Sequence, residues 1–359
     1  MINPVKVTKR ADLPKIQEWS IRGIAILLSI VCAGLILLIM GLEPIKVFGA
    51  IIEGSLGTQL RIQQTIVKAI PLIIASLGIL VAFKMKFWNI GGEGQITMGA
   101  LAASWVALFA GDMPKPVMLM LMMIAAIIAG GLWAFIPAIF KAKMGTNETI
   151  FTLMMNYIAI KLVTYLQYGP WMDPAAGGFP KVAPFPDSAL LPSLFSIHIG
   201  WVIALICIAL VYFLINYTKL GYEISVVGES METARYAGMS INKIIVVAMF
   251  ISGGLCGLAG MIQSSAIEKT LVASIGGGYG FTAIITAWLS RLNAIAVLFV
   301  CIAFAMLIQG GAYIQIALNV PSAVSSVVQG LVLFFVLGSE FFLQYKISLA
   351  RDRQVKEVA

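Results

Sequence analysis

The chain has 359 residues, 60% of them hydrophobic and only 11% charged, with a formal net charge of +8. Soluble domains carry about a quarter charged residues, so this composition excludes an ordinary soluble protein and indicates an integral membrane protein. The positive balance has no long basic run or aromatic-interleaved basic patch behind it, which argues against nucleic acid as a partner and assigns the charge to orientation in membrane lipid.

Residues 1–20 form a polar tail with Lys6, Lys9, Arg10 and Lys15. The apolar run Ile21–Gly41 is long enough to span a bilayer. It lacks an Ala-x-Ala-like cleavage site, so it reads as a retained first helix with its tail in the cytoplasm. Residues 42–65 mix Glu43, Lys46, Glu53 and Arg61 with apolar residues, which suggests a helix at the outer interface or entering the bundle obliquely. A second span is expected over Ile66–Phe83, interrupted early by Pro71, and Lys84 and Lys86 mark a cytoplasmic return.

The stretch 87–99, Phe-Trp-Asn-Ile-Gly-Gly-Glu-Gly-Gln-Ile-Thr-Met-Gly, does not suit a lipid-facing helix. Gly91, Gly92 and Gly94 allow close approach and helix breaks, while Asn89, Glu93, Gln95 and Thr97 place polar groups near membrane depth. An acidic side chain at the bilayer centre costs roughly 3 kcal/mol or more, so Glu93 should face protein or a watery cavity. Spans are then expected over Glu93–Ala110 and Val117–Phe140, followed by the basic turn at 141–148, where Thr146 or Asn147 can cap a fifth span, Thr149–Gln167.

The longest polar stretch, 168–198, has six prolines and no positive bias, which places it outside. Its last residue, His198, is the chain's one histidine and reads as interfacial rather than a ligand. Cys32, Cys207, Cys256 and Cys301 fall in apolar runs without CxxC spacing, so neither a disulfide nor a metal site is expected.

A sixth span is expected over Ile199–Tyr217 and a seventh over Ile244–Ser264, where Gly253, Gly257 and Gly260 form a small-residue face. A second glycine cluster, Gly276–Gly280, precedes the short piece Phe281–Ser290, which Arg291 and Asn293 end. Spans over Ala294–Tyr313 and Val320–Leu337 lead to a basic tail, 341–359. The fold class is thus an all-α polytopic membrane protein of about ten transmembrane helices, with a transmembrane domain over 21–340 and both termini cytoplasmic.

The two glycine-broken clusters occupy comparable places in two related halves. Broken or re-entrant segments at corresponding positions point to a substrate path, although tight packing alone also favours glycine in membrane helices. The candidate path residues are Asn89, Glu93, Gln95 and Thr97 from the first cluster with Tyr279, Phe281 and Thr282 from the second.

Between the sixth and seventh spans, 218–243 reads as a helical hairpin outside the bilayer. Glu229 or Ser230 can cap a helix of about two turns, Glu232 suits its N-terminal dipole, Arg235 sits late and Gly238 can take the left-handed C′ position. Such a helix suits docking into a partner's cleft; an ordinary solvated connection is the alternative. No phosphate loop, His-Glu-x-x-His or Gly-x-Ser-x-Gly is present, so no catalytic residue is assigned.

Phe87-Trp-Asn-Ile-Gly-Gly-Glu-Gly-Gln95 resembles the Phe-Asn-Ile-Gly-x-Glu-Gly-Gln motif of permease subunits of nucleoside and simple-sugar ABC importers, which are related to ribose and branched-chain amino acid permeases. Gly228-Glu-Ser-Met-Glu-Thr-Ala-Arg-Tyr-Ala-Gly238 is similar to that family's cytoplasmic coupling segment. The stretch from Gly278-Tyr-Gly-Phe-Thr-Ala to Leu289-Ser-Arg-Leu-Asn293 resembles a third motif. Here Trp88 is inserted, Ser290 stands for a usual glycine and Ala294 for a proline.

The resemblance implies an importer permease in the bacterial cytoplasmic membrane, with purine or pyrimidine nucleosides as solute and simple sugars as the second choice. It implies a second homologous permease, an ATPase subunit with two nucleotide-binding units that holds ATP and Mg, and an extracytoplasmic solute-binding lipoprotein. No cofactor or metal is expected in this chain. Glu229, Glu232, Ala234, Arg235, Tyr236 and Gly238 would then contact the ATPase. The competing classes are an ion-coupled carrier with Glu93 as its ion site and a structural membrane scaffold.

Overall fold

The computed structural model describes residues 5–9, 14–319 and scattered positions between 324 and 349. In chain order its helices are α1 (Lys15–Ile39), α2 (Pro44–Leu56), α3 (Gln59–Lys84), α4 (Gly92–Phe109), α5 (Lys115–Met144), α6 (Glu148–Tyr168), α7 (Gly200–Tyr217), α8 (Lys219–Glu229), α9 (Met231–Tyr236), α10 (Ile241–Ile262), α11 (Tyr279–Leu289) and α12 (Ala294–Ala317). A π-helical turn, Gln263–Glu268, prolongs α10. Among the described residues six helices are long and apolar enough to cross a membrane, and α1 with α2 make a seventh if that bent pair counts as one span. The polar start of α4 and the shortness of α11 set those two apart from the six, and the span expected over 320–337 falls largely outside the described residues.

The chain divides into two compact units, 1–54 with 310–359, and 55–309. In the first, strand β1 (Val5–Lys9) pairs antiparallel with β4 (Tyr345–Leu349), Val5 opposite Leu349 and Lys9 opposite Tyr345. Both tails, expected to be merely polar, thus contain a strand. The apolar part of α1 meets α2 at 117°, through a turn at Gly41. The Tyr313 hydroxyl and the Glu53 carboxylate of α2 lie 3.3 Å apart, the hydroxyl donating.

In the second unit α10 is the central helix, packed on α3, α4 and α5. Its glycines allow that: a Cβ on Gly257 would collide with the Ala126 carbonyl of α5, and Gly99 of α4 lies directly against Gly257. The helix axes therefore approach closely enough for backbone-to-backbone packing, the usual solution where lipid offers no hydrophobic drive. Around it, residues 69–83 of α3 are all buried. The expected interruption at Pro71 does not occur; the missing N–H costs one bond, and the surrounding helices hold α3 continuous through it.

The polar stretch after α6 folds over the unit through two 3-10 turns, Pro174–Ala176 and Asp187–Ala189, and the short pair β2 (Ser193–Leu194) and β3 (Ile197–His198). His198 is buried there, and burial pushes its imidazole pKa down to about 4, so it is neutral at physiological pH. Of the two candidate caps for α6, Asn147 is the one used, its Oδ1 accepting from Ile150 N at 3.2 Å. Asn147→Ala is expected to lower stability by about 1 kcal/mol and Thr146→Ala by less, as read from denaturant titration of the purified protein.

Candidate functional site

The first glycine cluster runs as an extended turn from Phe87 to Ile90 and then opens α4 at Gly92. Polar side chains within the cluster and from two other helices, α6 and α10, hold it. Asn89 and Gln95 exchange carboxamide bonds, Asn89 Nδ2 donating to Gln95 Oε1 at 3.2 Å and Gln95 Nε2 to Asn89 Oδ1 at 3.0 Å. Asn89 Nδ2 also donates to Ser252 Oγ of α10 at 3.1 Å. From α6, Asn156 Oδ1 accepts from Gly94 N at 2.8 Å and its Nδ2 donates to Ile90 O at 2.9 Å, while Thr152 Oγ1 accepts from Ile90 N. An unwound backbone at this depth would otherwise leave N–H and C=O groups unpaired.

Glu93 makes the link to the second cluster. Its Oε1 accepts from Gly278 N at 2.9 Å and its Oε2 from Gly280 N at 2.8 Å, so the carboxylate sits on the N-terminus of α11. Negative charge there is favoured by the helix dipole and by the orphan N–H groups of the first turn. Gly280 is obligatory, since a Cβ at that position would collide with the backbone of Glu93. Gly278 has φ +79°, the left-handed region, and turns the chain into α11.

The structure therefore brings together Asn89, Glu93, Gln95 and Thr97, all buried, with the start of α11. Thr97 and Thr282 donate to carbonyls in their own helices, of Glu93 and Gly278. Tyr279 is buried at the first position of α11, whereas Phe281 is 43% exposed and stands apart. One turn further along, Thr286 Oγ1 lies 2.6 Å from Ser76 Oγ of α3. Sequence reasoning did not single out Asn156, Thr152, Ser252 or Ser76; the available signal was a polar side chain inside an otherwise apolar helix.

The segment after α7 is built as two short helices. Thr218 caps α8, accepting from Gly221 N at 3.1 Å, and Ser230 caps α9, accepting from Thr233 N at 3.2 Å. Gly238, at φ +73°, ends α9, with Met239 N bonded back to Ala234 O. Ala234 is buried, whereas Tyr236 is 93% exposed and Glu229, Glu232 and Arg235 also face outward. Inward, α8 buries Ile224 and Val227 and lays Gly228 against the Lys84 carbonyl at the end of α3.

Apolar helices of spanning length, two glycine-broken segments locked face to face by buried polar groups, and an exposed helix between two spans define a multi-pass membrane permease. The chain belongs to the family described as the branched-chain amino acid transport system permease component, which matches residues 61–337. It is 33% identical to a glucose ABC transporter permease protein of Haloferax volcanii over 98% of this chain and 95% of that one. It is 34% identical to the guanosine ABC transporter permease protein NupP of Bacillus subtilis, covering 88% and 92% respectively. The nucleoside ABC transporter permease protein NupB of Lactococcus lactis is 28% identical, over 93% and 94%. The chain is thus a transport subunit rather than an enzyme.

Proposed function

We propose that the chain is the membrane-spanning subunit of an ATP-binding cassette importer that carries a purine or pyrimidine nucleoside across the bacterial cytoplasmic membrane. The similarity to guanosine and nucleoside permeases along almost the whole chain carries this reading. The Haloferax volcanii relative favours a second solute class, a simple sugar. Energy comes from a partner ATPase with two nucleotide-binding units holding ATP and Mg, since this chain has no phosphate loop. A second homologous permease and an extracytoplasmic solute-binding lipoprotein complete the assembly. The basic returns at Lys84, Lys86, Lys141 and Lys143 support cytoplasmic termini.

In this reading α9, through Glu232, Ala234, Arg235 and Tyr236, docks on the ATPase together with its flanks, Glu229 at the end of α8 and Gly238 just past α9. Its displacement passes through α8 to the end of α3 and to α10, which it also touches. Asn89, Glu93, Gln95, Thr97, Tyr279 and Thr282 frame the path where the two broken segments meet, and Phe281 reaches it only from the exposed side of α11. Both oxygens of Glu93 already accept backbone N–H bonds, which argues against an ion site there and so against an ion-coupled carrier.

Reconstitution with ATPase, partner permease and binding protein tests the proposal. ATP-dependent uptake of labelled guanosine or uridine is expected, with no uptake by this chain alone under a proton or sodium gradient. Gradient-driven uptake by the lone chain would overturn the importer, and ATP-dependent uptake of glucose or ribose alone would move the solute to the sugar class.

A further inference from the structure

Lys68 stands about 24 Å from the Lys84 end of α3, counted at 1.5 Å per residue, which keeps it within the roughly 30 Å of a bilayer's hydrocarbon. It is partly buried, and among the described residues its ammonium meets neither a carboxylate nor a hydrogen-bond acceptor. The residues that follow, 69–83, are all buried, so α3 is an interior helix. A cation on such a helix faces protein or a watery cavity rather than lipid.

The packing of α3 sets where Lys68 lies. Cys256 of α10 donates its thiol to the Ala75 carbonyl at 3.8 Å, and a Cβ on Gly78 would collide with the Ser252 carbonyl, so the two helices run antiparallel. Two turns beyond Ala75 and Cys256, away from the Lys84 end, stand Lys68 on α3 and Gln263 on α10. Gln263 is buried, its carboxamide forms no hydrogen bond, and its Oε1 has no donor. His198 marks the same level: its ring lies beside the Val67 backbone, and a Cβ on Gly200 would meet both that ring and Ile262. One turn beyond Lys68, Gln64 Oε1 accepts from Gln309 Nε2 of α12 at 2.8 Å. In the other direction Ile79, three turns away on the same side of α3, reaches Gly92 in the first broken segment. The unmet cation and carboxamide therefore stand in line with the broken-helix cluster, about 16 Å further along α3.

We propose that Lys68 and Gln263 form a solute-binding station in the outer half of the path. The Lys68 ammonium donates to a carbonyl or hydroxyl oxygen of the solute, and Gln263 Oε1 accepts from an N–H or O–H beside it. A nucleobase edge and neighbouring sugar hydroxyls share this pairing of acceptor and donor. A solute lacking it would leave both protein groups unpaired, which is how a polar site rejects the wrong guest. The inference rests on the importer reading and on its cytoplasmic assignment of the Lys84 end.

Lys68→Met and Gln263→Leu keep a similar volume and remove the polar ends. In the reconstituted assembly, ATP-dependent uptake of labelled uridine, guanosine or ribose is expected to fall about tenfold and about fivefold respectively, the scale of one charged and one neutral hydrogen bond. The denaturant midpoint should hold or rise, because an apolar group replaces a buried polar group that had no partner. Lys68→Arg should recover most of the uptake, since it keeps a charged donor. Loss for the nucleosides but not for ribose would put the base on the pair, and loss for ribose as well would put the sugar hydroxyls there. A midpoint that falls with uptake would make the two residues braces, and wild-type uptake in both variants would remove them from the path; either result overturns the station and leaves the importer standing. Absence of ATP-dependent uptake in wild type would sink the importer instead. Binding of the same labelled solutes to the purified permease, lost in both variants, would then uphold the station, and binding equal to wild type would overturn it.

Discussion

Glu93→Ala is expected to destabilise the permease more than any other single truncation in the polar cluster. Two backbone N–H groups, of Gly278 and Gly280, would lose their acceptors inside the protein. A buried unpaired donor such as Gly280 N costs about 1–3 kcal/mol and the part-buried Gly278 N less, so the two together amount to roughly 2–4 kcal/mol, a large part of a protein's net stability. Glu93→Gln keeps one carbonyl oxygen and should lose about half as much, because the carboxamide nitrogen cannot accept and the full charge opposite the α11 dipole is gone. The measurement is the denaturant midpoint of the purified complex beside ATP-driven uptake. Wild-type stability in Glu93→Ala would remove Glu93 from the framing role. A fully stable Glu93→Gln without uptake would instead return it to direct chemistry with solute or ion.

How far this could be read without coordinates differs from element to element. The glycine-broken stretches at 87–99 and 276–280 were visible because polar residues and glycines interrupt apolar runs, and the cost of polar groups in lipid demands that they meet something. Which partner each meets was not visible. Asn156 and Ser252 lie 62 and 163 residues from their partners Gly94 and Asn89, and only the close packing of α10 and α6 on α4 brings them together. The strand pairing of the tails had a signal that went unread: Val5 and Val7 alternate with Lys6 and Thr8, and Tyr345, Ile347 and Leu349 with Lys346 and Ser348. The bend between α1 and α2 was suggested only as an oblique segment, since Gly41 and Pro44 mark a break but set no angle.

The helix α9 was legible down to its caps because capping is local: Ser230 and Gly238 act on backbone groups within three to five residues of themselves. Its proposed role leads to the second large effect. Arg235→Glu reverses a charge in the last turn of α9, where the dipole prefers a cation, and presents repulsion to any acidic surface that Arg235 meets on the ATPase. Gly238→Trp forces a bulky residue into a left-handed conformation, at about 1–2 kcal/mol, and fills space at the docking face. Tyr236→Ala removes a side chain that touches almost nothing in this chain, so any loss it causes must arise at a partner. All three are expected to reduce ATP-dependent uptake about tenfold or more, the scale of losing an interface anchor, while membrane insertion stays near wild type and the denaturant midpoint of the permease falls measurably only in Gly238→Trp, by the strain of its backbone. Co-purification of the ATPase separates failed docking from failed transmission: a variant that retains the ATPase but not uptake has lost the lever through α8 to α3 and α10. Wild-type uptake from both Arg235→Glu and Gly238→Trp would show that force enters the permease elsewhere.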